Sequence, residues 1–169
     1  MNLPSLLLLF DYNFWANRRL LATAQNLPAD HFLAPAEFPY GGLRGTLTHI
    51  LEAEFAWRVR FERGAAVEEL PEAEFPTLES VATRWREEEN LMRAYLATLR
   101  EEDLDKPVAY PIDEGKTRER ILWHCLVHVV NHGTQHRSEA ATLLTRFGHS
   151  PGDLDFTVFL NDVHPPKDY

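Results

Sequence analysis

An all-α four-helix bundle is the fold class this sequence predicts, and three observations predict it. Apolar residues recur at helical spacing over four stretches of about 20–30 residues. Proline and glycine break the chain between those stretches. The 169 residues, 44% apolar and 25% charged, suffice for a hydrophobic core and read as a single domain over 1–169.

The first helix is predicted from about Ser5 to Asn26, with Ser5 as its cap and Pro28 closing it. Leu6, Leu9, Phe10, Phe14 and Leu21 supply its buried stripe. A breaker-rich loop follows from Pro28 to Gly42, with Pro35, Pro39 and Gly41 inside it. Helix connections in bundles usually run ~2–8 residues, so a loop of this length either lines a site or simply covers surface. The second helix spans Leu43 to Arg63 and stops at Gly64, a suitable left-handed terminator. The third runs from Leu78 to Leu99, beyond Pro71 and Pro76. Its charges (Arg84, Arg86, Glu87, Glu88 and Glu89) read as a solvated face. From Asp103 to Gly115, Pro107 and Pro111 flank Val108-Ala109-Tyr110, which reads as an extended piece or a small hairpin. The fourth helix is predicted from Thr117 to Phe147, ended by Gly148 and Pro151. A short C-terminal helix follows from Phe156 to Leu160, and Pro165 and Pro166 belong to the tail.

Charge narrows the function classes. The formal charge of −9 repels phosphate backbones, and no Lys/Arg-rich run offsets it, so nucleic acid is not an expected partner. The apolar run from Leu6 to Phe10 is short, has no preceding Lys or Arg and ends at Asp11, which is a poor leader peptide. Nothing approaches the ~18 apolar residues of a membrane span, so no membrane partner is expected. The lone Cys125 cannot close an internal disulfide, which points to a reducing, cytoplasmic setting.

Histidine is the compositional oddity: four of the eight fall within thirteen residues. His124, His128, His132 and His136 repeat at i, i+4 on the fourth helix, a spacing that stacks side chains ~5–6 Å apart and lets two imidazoles share one metal ion. Four in a row cannot converge, because each i+4 step turns the side chain by about 40°. Leu122, Cys125, Leu126, Val129, Ala140, Leu143 and Leu144 mark the buried direction. From the middle of that stripe His136 lies about 40° away, His132 about 80°, His128 about 120° and His124 about 160°. Phase therefore makes His132 and His136 the inward pair and leaves His124 near solvent.

A metal site needs at least a third ligand, and His49, the one histidine of the second helix, flanks the apolar face of Leu47, Ile50, Leu51 and Phe61. The competing reading is a hydrogen-bonded structural histidine. Glu139 shares the strip of His132 and His136 and can accept from an imidazole N–H or act as a base. Gly133 sits at the centre of the apolar stripe, where it costs roughly 1 kcal/mol of helix stability but permits close approach of another group. Glu54 falls on the apolar face of the second helix and needs a partner if buried. Cys125 reads as a small hydrophobe, and Trp15, Trp57, Trp85 and Trp123 as core or groove aromatics. His31, His149 and His164 read as surface residues of loops and tail.

Four segments in order bring a family into view. Tyr12-Asn13-Phe14-Trp15-Ala16-Asn17, then Gly45-Thr46-Leu47-Thr48-His49-Ile50-Leu51-Glu52-Ala53-Glu54, then His128-Val129-Val130-Asn131-His132-Gly133-Thr134-Gln135-His136-Arg137, and finally Pro151-Gly152-Asp153-Leu154-Asp155-Phe156 are together similar to the DinB-like (DinB/YfiT) proteins over nearly the whole chain. The resemblance implies an up-down-down-up bundle and a divalent ion, zinc or nickel before manganese, held by residues matching His49, His132 and His136. The family pattern usually continues His-Arg-Gly-Gln, whereas here it reads His136-Arg137-Ser138-Glu139, which puts an acidic group beside the site.

Relatives of this kind include metal-dependent transferases and isomerases that use small thiols such as mycothiol or bacillithiol. The resemblance therefore implies a small-thiol S-transferase with a small-molecule substrate, in which His128 or Glu139 shuttles a proton. A hydrolase follows if water rather than a thiol meets the metal. A non-catalytic, stress-related metal or small-ligand binding protein and a purely structural bundle are the other readings, and a homodimer is compatible with all of them.

Overall fold

The computed structural model describes residues 1–112, 115–163 and 165; His164, Pro166 and the pair Asp113 and Glu114 lie outside the described residues. The chain forms an all-α helical bundle with one small hairpin. Its elements are α1 (Leu3–Ala24), α2 (Ala29–Leu33), α3 (Leu43–Arg63), α4 (Leu78–Leu96), β1 (Pro107–Pro111), β2 (Thr117–Ile121), α5 (Leu122–Arg146) and α6 (Phe156–Val163).

Local chemistry sets most of these boundaries. Helix α1 starts two residues before the expected Ser5, because Asn2 is the cap and accepts the Ser5 N–H at 2.9 Å. Pro4 fits that first turn, where a missing N–H costs nothing. Helix α3 spans the predicted residues, and Gly64 ends it in the left-handed region at φ 59°. Thr77 caps α4 through a reciprocal pair with Ser80. Helix α4 ends at Leu96, three residues before the expected Leu99, in a tight turn whose Leu99 N–H bonds Leu96 O. The predicted loop after α1 contains the short helix α2. Helix α6 is three residues longer than expected.

The main correction concerns residues 117–121, expected to open the fourth helix. They form β2, paired antiparallel with β1 so that Tyr110 faces Arg118 and Val108 faces Arg120. Tertiary contacts override a sequence of adequate helix formers here. The hairpin hands the chain to α5 by backbone bonds: Leu122 N–H donates to Lys106 O and Trp123 N–H to Leu104 O. Those two acceptors satisfy first-turn donors that would otherwise lack partners.

Helix α5 packs on both α3 and α1, and α4 closes the ring against both. The core divides into two apolar layers. One gathers Leu20, Leu47, Leu51, Val81, Trp85 and Leu144; the other gathers Leu6, Phe10, Phe14, Met92, Leu126 and Phe159. Helices α1 and α5 run from the second layer to the first, and α3 and α4 run the opposite way, which is the up-down-down-up arrangement.

Candidate metal centre

Two helices and one loop build the site. On α5, exposure follows the helical phase: His136 is buried, His132 half-buried, and His128 and His124 exposed. From α3, His49 reaches across so that its Nε2 lies 3.0 Å from His132 Nε2. One ligand atom each from His49, His132 and His136 fall within 4.8 Å of one another, so the three imidazoles the sequence singled out share one small space.

The donor set fits a divalent cation. His136 Nδ1 is 2.8 Å from Glu139 Oε2. A carboxylate there holds the proton on Nδ1 and leaves the Nε2 lone pair free, the usual way a ligating histidine is oriented. Burial first, and then the neighbouring His136, lower the His49 pKa to about 4. Burial, then His136 and His49, lower His132 to about 4 as well. Both rings are thus neutral near pH 7, the protonation state a metal needs. His49 Nε2 and His132 Nε2 are within hydrogen-bond distance of each other at 3.0 Å, and a metal ion would take the place of the proton between them.

The loop preceding α3 covers this cluster. Tyr40 stacks on His49 with ring centroids 3.5 Å apart and meets His136 edge-on at 5.2 Å. Glycine seats that loop: a Cβ at Gly45 would strike the Tyr40 carbonyl, and one at Gly42 the Ala34 carbonyl. Sequence reading left the loop's role open and missed Tyr40; the Gly42 and Gly45 pair at the start of a helix was the available signal.

Other singled-out residues belong elsewhere. Glu54 is buried and paired: Asn13 and Asn17 donate to its Oε1 at 2.7 and 2.8 Å, and Trp85 donates to Oε2 at 2.8 Å. The same two asparagines accept from Arg137 Nη1, at 2.5 and 2.9 Å. Arg137 is only 1% exposed, and sequence reading missed it. Burial pushes the Glu54 carboxyl up and the Arg137 guanidinium down, while their mutual attraction opposes both shifts. Gly133 makes room for this guanidinium, since a Cβ there would lie 2.6 Å from Arg137 Nη1. Glu88, expected on a solvated face, is fully buried and takes a two-point bond from Arg58. Arg58 on the neighbouring α3 makes that part of the face interior.

Cys125 is buried, and burial raises its thiol pKa. His31 and His149 are half-buried rather than on the surface, and His31 stacks on Phe147 at 4.4 Å. A cavity of about 700 Å³ lies on the α1, α5 and α6 side, around Tyr12, Val130 and Phe156, and none of its lining residues is a histidine. A second cavity, of about 490 Å³, reaches the cluster through His128, whose ring lies 5.6 Å from that of His132.

The model of the DinB family matches residues 1–166, and the chain belongs to that family. Among curated proteins, Protein DinB of Bacillus subtilis (strain 168) is 25% identical over 157 residues, covering 90% of this chain and 91% of the relative. No helix among the described residues is long and apolar enough to cross a membrane.

Proposed function

We propose that this DinB-family chain is a metal-dependent enzyme that holds one zinc- or nickel-type ion on His49, His132 and His136 and transfers a small thiol onto a small-molecule substrate. The observation that carries the reading is the convergence of three imidazoles from two helices, with Glu139 orienting one of them. Three protein ligands leave positions open to an exchangeable group, as in catalytic zinc sites. A bound divalent ion there supplies the Lewis acidity that lowers the pKa of a thiol or of water toward neutrality.

The chain's own groups do the rest. Glu139 keeps the Nδ1 proton of His136 in place. Tyr40 shields one face of His49 from solvent. His128, exposed beside His132, is positioned to accept a proton from an incoming thiol. The second reading, a hydrolase, uses the same residues with water in place of the thiol.

Elemental analysis of tag-free protein tests the centre. We expect about one equivalent of zinc, nickel or manganese in the wild type, a sharp drop in His49→Ala and none in His132→Ala/His136→Ala. A wild type that stays metal-free after incubation with each ion rules the centre out. A loaded protein that moves neither a low-molecular-weight thiol nor water onto an electrophile leaves a metal-binding protein without catalysis.

A further inference from the structure

The cavity of about 490 Å³ beside His128 is unlike the rest of the surface. Trp57 and Tyr110 wall it, and Arg118 and Arg120 open onto it. The β1–β2 register explains why both arginines are there: they oppose Tyr110 and Val108 and so share the face whose Tyr110 packs on Trp57 at 5.1 Å. Alternation sends Glu119 to the other face. From α3, the Arg60 guanidinium lies over both rings, 5.1 Å from Trp57 and 5.5 Å from Tyr110, and its Nε is buried without a hydrogen-bond partner. The positive end of α5 begins directly behind β2.

Charge sorting makes this cluster informative. The chain has 26 acidic residues against 17 basic ones, so an arginine can readily find a carboxylate. Most do: Arg18 pairs with Glu89, Arg44 with Glu72, Arg58 with Glu88, and Arg93 with Asp11. Among the described residues Arg60, Arg63, Arg118, Arg120, Arg137 and Arg146 form no ion pair; of these, Arg118 and Arg120 line this aromatic-walled cavity, and Arg60 lies over its two aromatic rings. Like charges on one strand face repel one another, and an anion bound between them offsets that repulsion.

We propose that this cavity is a subsite for a small organic acid, whose carboxylates are taken by Arg118 and Arg120, with Arg60 supplying charge from the aromatic wall. Same-face neighbours on a strand lie roughly 6–7 Å apart, a spacing that suits two carboxylates on a short carbon chain better than one phosphate. Guanidinium forks match carboxylate geometry. His128 lines this cavity and its ring lies 5.6 Å from that of His132, so an acid held by both arginines has its carbon chain turned toward the histidine cluster. That orientation rests on the metal reading above; the anion subsite itself does not.

Isothermal titration of the full chain with succinate, and separately with inorganic phosphate, at low ionic strength tests it. Wild type is expected to bind succinate saturably and more tightly than phosphate. Arg118→Gln/Arg120→Gln should weaken succinate at least about tenfold, given the strength of charge-assisted bonds. The double variant should keep wild-type metal content and melting temperature, since both side chains are exposed. Arg86→Gln, which removes an exposed arginine paired elsewhere with Glu79, should change nothing. His132→Ala/His136→Ala should still bind succinate, so a failed metal centre and a failed subsite give different results. Absent succinate binding, equal affinity in the double variant, tighter phosphate binding, or loss of succinate only in the histidine variant each overturns the proposal.

Discussion

Two clusters of polar side chains lie side by side in this bundle, and they are built on opposite terms. In the belt of Asn13, Asn17, Glu54, Trp85 and Arg137, the carboxylate and both asparagines are buried and saturated, and four helices contribute. In the cluster of His49, His132 and His136, two of the three rings are half-buried, two helices contribute, and the Nε2 atoms of His49 and His132 meet at 3.0 Å. A buried carboxylate held by three donors keeps helices in register; half-enclosed imidazole nitrogens bonded only to one another can exchange that bond for a metal. The belt also separates the two apolar layers of the core, so it fixes how the helices slide against one another. The histidines inherit their positions from that arrangement.

Substitution at Glu54 should sharpen the contrast most. Glu54→Ala leaves two asparagine donors and the Trp85 N–H without their acceptor and the buried Arg137 charge without its counter-ion, a loss of about 3–5 kcal/mol. In urea unfolding of chelator-treated protein, His49→Ala should move stability by less than about 1 kcal/mol. Equal losses in the two variants would mean that the histidine cluster is structural.

Gly133→Ala comes next. Helix propensity alone predicts a gain of roughly 1 kcal/mol, yet the new Cβ would press on Arg137 Nη1 and on Asn13 Oδ1. Overpacking should win, with a net loss of about 1–3 kcal/mol by the same unfolding assay. A stabilised variant would show that the belt yields easily.

Acidification probes the other cluster. His49 and His132 have folded pKa values of about 4, below the ordinary 6.5, so the unfolded chain binds more protons between those values. Stability of the metal-free protein should therefore be complete above pH 6.5, decline as pH falls toward 4 and level off below. A His49→Asn/His132→Asn variant should show a shallower decline over that window. An unchanged slope in the variant would assign the acid sensitivity to other groups.

The smallest effect belongs to His124. It occupies the same i, i+4 ladder but is exposed at the far end, so His124→Ala should change stability by no more than about 0.5 kcal/mol. Metal content should stay at the wild-type level. A loss of metal in this variant would show that the ladder acts as a unit.

Much of this architecture was legible in one dimension, for identifiable reasons. Helix α3 ends where predicted because Gly64 can adopt a left-handed backbone that most residues avoid. The inward order of the four histidines follows from 3.6 residues per turn measured against a stripe of leucines and valines. Glu54 announced a partner because a carboxylate on an apolar helix face must find one.

What escaped depended on distance in sequence. Residues 117–121 have the composition of a helix and become a strand because β1 pairs with them and Tyr110 packs on Trp57. Glu88 sits in a run of charges and is buried because Arg58, thirty residues away, meets it between two helices. Arg137 directly follows His136 in sequence, yet its partners are two asparagines more than a hundred residues earlier. Tyr40 covers His49 through a loop whose path is set by contacts with the start of α3. The sequence by itself determined the helices, their buried faces and the pair His132 and His136, because periodicity and chain breakers act within a few turns. Only the tertiary structure decided which helices lie together, and with that the hairpin, the polar belt and the approach of His49 to His132, because those depend on groups that meet only once the chain has packed.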